Sequence, residues 1–194
     1  TPTAVTVTWT SSGAPVSGQT VTFTTTRGSF GGAVSTNATT DTNGVATVSV
    51  SSTTAGPAVI TATGAGVTAQ VAATFVATVP NSITVQASTA TIGTGAQSTI
   101  TAVVRDAQNN LVEGQTVDFQ LTDVTGGSIS TASAVTNTQG VAQTVYTASS
   151  TASATGGVQV VASLQDTPSI TGTANLTVGG QTAFLSLGTG AMIS

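Results

Sequence analysis

Gly13-Ala14-Pro15-Val16-Ser17-Gly18-Gln19-Thr20-Val21-Thr22-Phe23 returns about 96 residues later as Asn109-Asn110-Leu111-Val112-Glu113-Gly114-Gln115-Thr116-Val117-Asp118-Phe119. Thr42-Asn43-Gly44-Val45-Ala46 returns at the same offset as Thr138-Gln139-Gly140-Val141-Ala142, and Ile60-Thr61-Ala62 as Val160-Val161-Ala162 after a small insertion around residues 151–155. A repeat of this length makes the 194 residues two copies of one module. Within each copy, apolar residues alternate with Thr and Ser in short runs separated by Gly, Asn, Asp and Pro. The first copy has Val5, Val7 and Trp9, then Val21 and Phe23, Ala46, Val48 and Val50, Ile60 and Ala62, and Val71, Ala73 and Phe75. The second answers with Ile100, Ala102 and Val104, Val117 and Phe119, Ala142, Thr144 and Tyr146, Val160 and Ala162, and Ala174, Leu176 and Val178. Period two places each set on one face of a strand, and turns at such spacing predict a β-sandwich per copy. Gly44 and Gly140 stand where a turn needs a positive φ.

Composition agrees. Thr occurs 44 times, and β-branched residues suit pleated strands. Charged residues make up 4% of the chain, against about 25% in ordinary soluble domains. The two basic residues are Arg27 and Arg105, and Lys, His and Cys are absent. Imidazole bases, thiolate nucleophiles, lysine Schiff bases and ordinary zinc sites are thereby excluded, and an enzyme is not expected. No cofactor and no metal are expected either. Two arginines make no basic stripe, so nucleic acid is not an expected partner. Mean hydropathy is +0.34, yet no apolar run approaches the ~18 residues of a spanning helix, so no membrane insertion is expected.

The stretch Gly13–Phe23, followed by residues 39–50 (TTDTNGVATVSV) and 52–62 (STTAGPAVITA), resembles the bacterial immunoglobulin-like domain of the invasin and intimin type, group 1. Val104-Arg105-Asp106 followed by residues 112–119 is similar to the same pattern. The resemblance covers nearly the whole chain. It implies two tandem immunoglobulin-like β-sandwich domains in an extracellular or cell-surface stalk, adhesin or fibre, and no catalytic residues.

The frame of the repeat is unusual. Residues 82–92 (SITVQASTATI) precede the second copy as an expected first strand, whereas Thr1 corresponds to about Ala96 or Gln97. The expected organisation is therefore 1–80, an immunoglobulin-like domain lacking its first strand; 81–180, a complete domain; and 181–194, an extra carboxy-terminal strand. Leu187-Gly188-Thr189-Gly190-Ala191 repeats Ile92-Gly93-Thr94-Gly95-Ala96. Two readings fit. Either the chain is a segment cut from a longer tandem protein, or its tail is a donor strand for an identical neighbouring copy, building a head-to-tail fibre. A sandwich short of a strand exposes an unpaired edge and a slot in its core, which invites strand addition. Ala183, Leu185, Leu187, Ala191 and Ile193 are the expected donor residues, and Val5, Val7, Trp9, Val21, Phe23 and Phe75 the acceptor core. As a stalk segment, the chain would space an adhesin or contribute to binding a host or surface glycan or protein.

Other residues carry weaker signals. Trp9 alternates with Val5 and Val7 and reads as core rather than a sugar platform. Tyr146 takes the place of Val50, inward with its hydroxyl at the rim. Asp106, Glu113, Asp118 and Asp123 are too sparse for a calcium loop and read as a solvated face. Asn37-Ala38-Thr39 and Asn175-Leu176-Thr177 are candidate glycosylation sites in a host that modifies them.

Overall fold

The computed structural model describes residues 2–180, and among them every regular element is a strand. The chain divides into two compact units: the residues up to Pro80 with Arg105–Val112, and Asn81–Val104 with the residues from Glu113 on. The first unit contains β1 (Thr3–Thr8), β2 (Thr10–Ser11), β3 (Ala14–Pro15), β4 (Thr20–Thr25), β5 (Ser35–Thr39), β6 (Val45–Val50), β7 (Gly56–Gly64) and β8 (Val67–Phe75). Besides the short antiparallel pair β2-β3, one sheet is the antiparallel pair β1-β6, and the other runs β5-β4-β7-β8. The core between them holds Val21, Phe23, Phe30, Ala46, Val50, Ile60 and Ala62, with Val5, Val7, Trp9 and Phe75 packed on it half-buried. Each large side chain so buried contributes about 1.5–3 kcal/mol.

The second unit contains β9 (Ser82–Ala87), β10 (Thr91–Gly93), β11 (Gln97–Arg105), β12 (Thr116–Asp123), β13 (Ser128–Ile129), β14 (Ser133–Val135), β15 (Val141–Thr147), β16 (Val158–Leu164) and β17 (Thr171–Gly179). Its sheets run β13-β15-β11-β9 and β10-β17-β16-β12-β14. The alternating residues read from the sequence form its core, with Ile100, Ala102, Val104, Val117, Val160, Ala162, Leu176 and Val178 all almost fully buried.

The expected single strand 82–92 is instead two strands in different sheets. The break is held by Ser98, whose buried hydroxyl donates to the Thr89 carbonyl (2.9 Å) and accepts from the Thr89 N–H (3.2 Å). Immediately afterwards the Thr177 N–H donates to the Ala90 carbonyl at 2.8 Å, and β10 pairs parallel with β17.

The repeated stretch is now legible as physics. Gly18 and Gly114 have φ of 72° and 77°, and each is followed by a Gln whose N–H donates to a buried threonine hydroxyl, Thr40 or Thr136, at 2.9 Å. Thr40 Oγ1 donates in turn to the Val16 carbonyl at 2.8 Å. Thus the turn before β4 is fastened to the end of β5, and the same joint recurs before β12. In the turns before β6 and β15, the side-chain oxygens of Asp41 and Asn137 accept the N–H groups two and four residues on. Gly44 (φ 71°) has to be glycine here, because a Cβ would collide with the Trp9 carbonyl.

Candidate functional site

The paired registers align the two units. Phe23 faces Ala62 as Phe119 faces Ala162, and Val7 faces Ala46 as Ala102 faces Ala142. By this alignment β1 corresponds to β11 and β8 to β17. In the second unit β9 lies beside β11 and β10 beside β17. Among the described residues, the first unit has no counterpart of either.

An open cleft results between β1 and β8. At one end it is lined by Val7, Trp9, Gly64, Val67 and Ala69; its middle by Val5, Phe23, Ile60 and Val71; its far end by Val5, Val50, Ile60, Ala73 and Phe75. The inward face of β8 is correspondingly wet. Val71 is 50% exposed and Val67 71%, whereas Ala174, which stands in Val71's place, is 5% exposed. The acceptor-core expectation divides along this line: Val21 and Phe23 are buried, while Val5, Val7, Trp9 and Phe75 border the cleft half-buried. The lining is mostly apolar, with Thr3, Thr6, Thr8, Thr10, Gln70 and Thr74 as its polar members and no ionisable group, and among the described residues the backbone edge of β8 beside it pairs with β7 alone.

Sequence reasoning missed how the cleft's end is closed. The Trp9 indole lies on Gly64, where a Cβ would collide with the ring. The matching residues of the second unit are Val104 and Leu164, both fully buried. A large residue has moved from one strand to the facing one.

The other singled-out residues have structural partners. Tyr146 is fully buried, and its hydroxyl, expected at the rim, donates instead to Asp123 Oδ2 at 2.7 Å. Asp123 also accepts from the Thr125 N–H and hydroxyl (both 2.7 Å) and the Gly127 N–H (2.8 Å). Burial pushes the Asp123 carboxyl up, but these hydrogen bonds outweigh it and hold the group below its ordinary value. Burial, then the same carboxylate, pushes the Tyr146 hydroxyl up to about 12. Asp106 accepts from the Gln108 and Asn110 N–H groups at 2.9 and 2.8 Å, closing its own turn. Among the described residues no three acidic groups lie together as a metal would require. Asn37 and Asn175 are exposed on β5 and β17, and Asn175 Oδ1 accepts from Gln159 Nε2 at 3.3 Å. The donor residues Ala183, Leu185, Leu187, Ala191 and Ile193 lie outside the described residues.

No curated protein sequence matches the chain. Among solved structures, the adhesin FdeC of Escherichia coli is 23% identical, with a TM-score of 0.65 over 87% of this chain and 61% of that chain. InvD of Yersinia pseudotuberculosis is 21% identical, with a TM-score of 0.66 over 96% of this chain and 55% of that one. Invasin, described as a bacterial integrin-binding protein, is 24% identical, with a TM-score of 0.44 over 92% of this chain and 40% of that one. This chain therefore spans less than two thirds of each of those chains, and the first two likenesses concern the fold. Residues 1–76 match the bacterial Ig-like domain, group 1. The amino-terminal sandwich belongs to that family, and the second unit repeats its sequence pattern and strand order.

Proposed function

We propose that the chain is a building block of a bacterial surface stalk or extracellular fibre, joined head to tail when the carboxy-terminal segment of one copy inserts into the first sandwich of the next. One observation carries this reading: the apolar cleft between β1 and β8 lies where the second unit holds β9 and β10. The segment beyond the described residues has matching chemistry, because Leu187-Gly188-Thr189-Gly190-Ala191 repeats the sequence around β10. Donor and acceptor are different surfaces, so the contact propagates as an open filament unless it closes into a ring. A formal net charge of −4 leaves little repulsion between copies.

A second reading is favoured by the group 1 match: a spacer in a longer invasin-like adhesin, which also contacts a host or surface glycan or protein. Deleting residues 182–194 separates the two. Sedimentation velocity is expected to show polymers for the full chain and monomers for the deletion. Monomers from both chains, together with retained binding on a glycan array, would replace the fibre reading with the spacer.

A further inference from the structure

The two strand edges that border the cleft, β1 and β8, are not equivalent. In the second unit β9 passes close over Gly172, where a Cβ would stand 2.8 Å from Val85 Cγ2 and 2.9 Å from the Ile83 carbonyl oxygen. Gly172 faces Ala162, and the corresponding partner of Ala62 is Ala69. The Ala69 methyl therefore occupies the space over which a β9-like strand would pass. No such obstacle stands along residues 71–76, where the apolar lobe lined by Val5, Val50, Ile60, Val71, Ala73 and Phe75 is open.

Resting on the strand-insertion reading above, we infer that the tail of a second copy adds to the β8 edge, parallel to it and in one register, with Leu187 opposite Phe75. The register follows from β10, whose Thr91, Ile92 and Gly93 face Thr177, Val178 and Gly179. Val178 stands in the place of Phe75, and Leu187 in the repeated sequence takes the place of Ile92, which is 7% exposed. Ser186 then faces Thr74, outward, while Leu185 faces Ala73 and Ala183 faces Val71. Partners in a parallel ladder share a face of the sheet, so Ala183, Leu185 and Leu187 all enter the lobe. Three alternating donor residues thus meet three alternating acceptor residues, Val71 half exposed and Ala73 and Phe75 half-buried. Parallel addition also keeps the direction of the natural β10-β17 pair.

The absence of cysteine makes the register testable by cross-linking in the full chain. The double variant T74C/S186C, under mild oxidation, is expected to give a covalent ladder on a reducing-agent-free gel, and the shifted double variant A72C/S186C at least tenfold less. Faster cross-linking of the shifted pair, or persistent polymers with no cross-link in either, overturns the register while strand insertion stands. A cross-link that leaves only monomers on the gel overturns the second copy as occupant. Sedimentation of the uncross-linked full chain as a monomer at all concentrations, unchanged by tail deletion, removes the insertion reading and the register together.

Discussion

At the residue scale, the two copies differ by compensation rather than by drift. Trp9 with Gly64 in one unit stands where Val104 with Leu164 stand in the other, and the large side chain changes strands without leaving the core gap. A close-packed interior tolerates a volume-conserving exchange better than a net change. G64L alone is therefore expected to evict the indole, destabilising the first sandwich by about 1–3 kcal/mol and shifting its tryptophan emission to the red. Unchanged emission would contradict the placement of Trp9. In the second unit, Y146F removes a donor from the Asp123 carboxylate, at an expected cost of about 1.5–3 kcal/mol. The Asp123 carboxyl should then titrate at higher pH by carbon-detected NMR. The sign of the pH dependence is fixed by the two shifts. Asp123, held below its ordinary value, contributes stability that is lost as pH falls through its folded value; Tyr146 contributes stability present below 10 and lost as pH rises toward about 12. Denaturation midpoints across pH check both limbs.

At the scale of elements, alternation in the sequence carried the long strands β1, β4, β6, β7, β8, β11, β12, β15, β16 and β17, because Thr and Ser on the outer face contrast with Val, Ile, Ala and Phe on the inner; the edge strand β5 and the short β2, β3, β13 and β14 went unread, having too few apolar residues to show a period. Three further things were not legible there. The break between β9 and β10 depends on a tertiary bond to Ser98, and residues 82–92 contain no Gly or Pro to announce it. Thr40 and Thr136 look like any of 44 threonines until their hydroxyls are seen fastening the Gly-Gln turns. The exchange of Trp9 for Leu164 spans strands distant in sequence. T40V should therefore cost about 1–3 kcal/mol, since it strips the Gln19 N–H and the Val16 carbonyl of their partner; urea denaturation of the first unit measures it. T24V, on the same strand β4 but exposed, should change stability by less than about 0.5 kcal/mol. On β8, V71D places a charge in the cleft on a half-exposed residue. It should leave the sandwich folded by circular dichroism while abolishing self-association by sedimentation, whereas equal polymerisation would show that the cleft is not the docking surface.

At the scale of the whole molecule, the frame of the repeat pointed to the first sandwich, where the cleft lies, and to residues 187–191, which repeat the lead-in to the other copy. What the frame could not specify was which edge is open to a guest, because that choice rests on Ala69 standing where Gly172 stands. Unpaired edges are normally blunted by charge, proline or cover. Here the inner face of β8 offers Val67, Ala69 and Val71 to solvent, with no charged residue on the strand. The most direct measurement is amide hydrogen exchange of the full chain, read along residues 67–76 as chain concentration is raised. Insertion of a neighbour's tail predicts that exchange in residues 71–76 slows with concentration while β5, at the other edge of the same sheet, is unchanged. Exchange in β8 that does not depend on concentration would contradict the account.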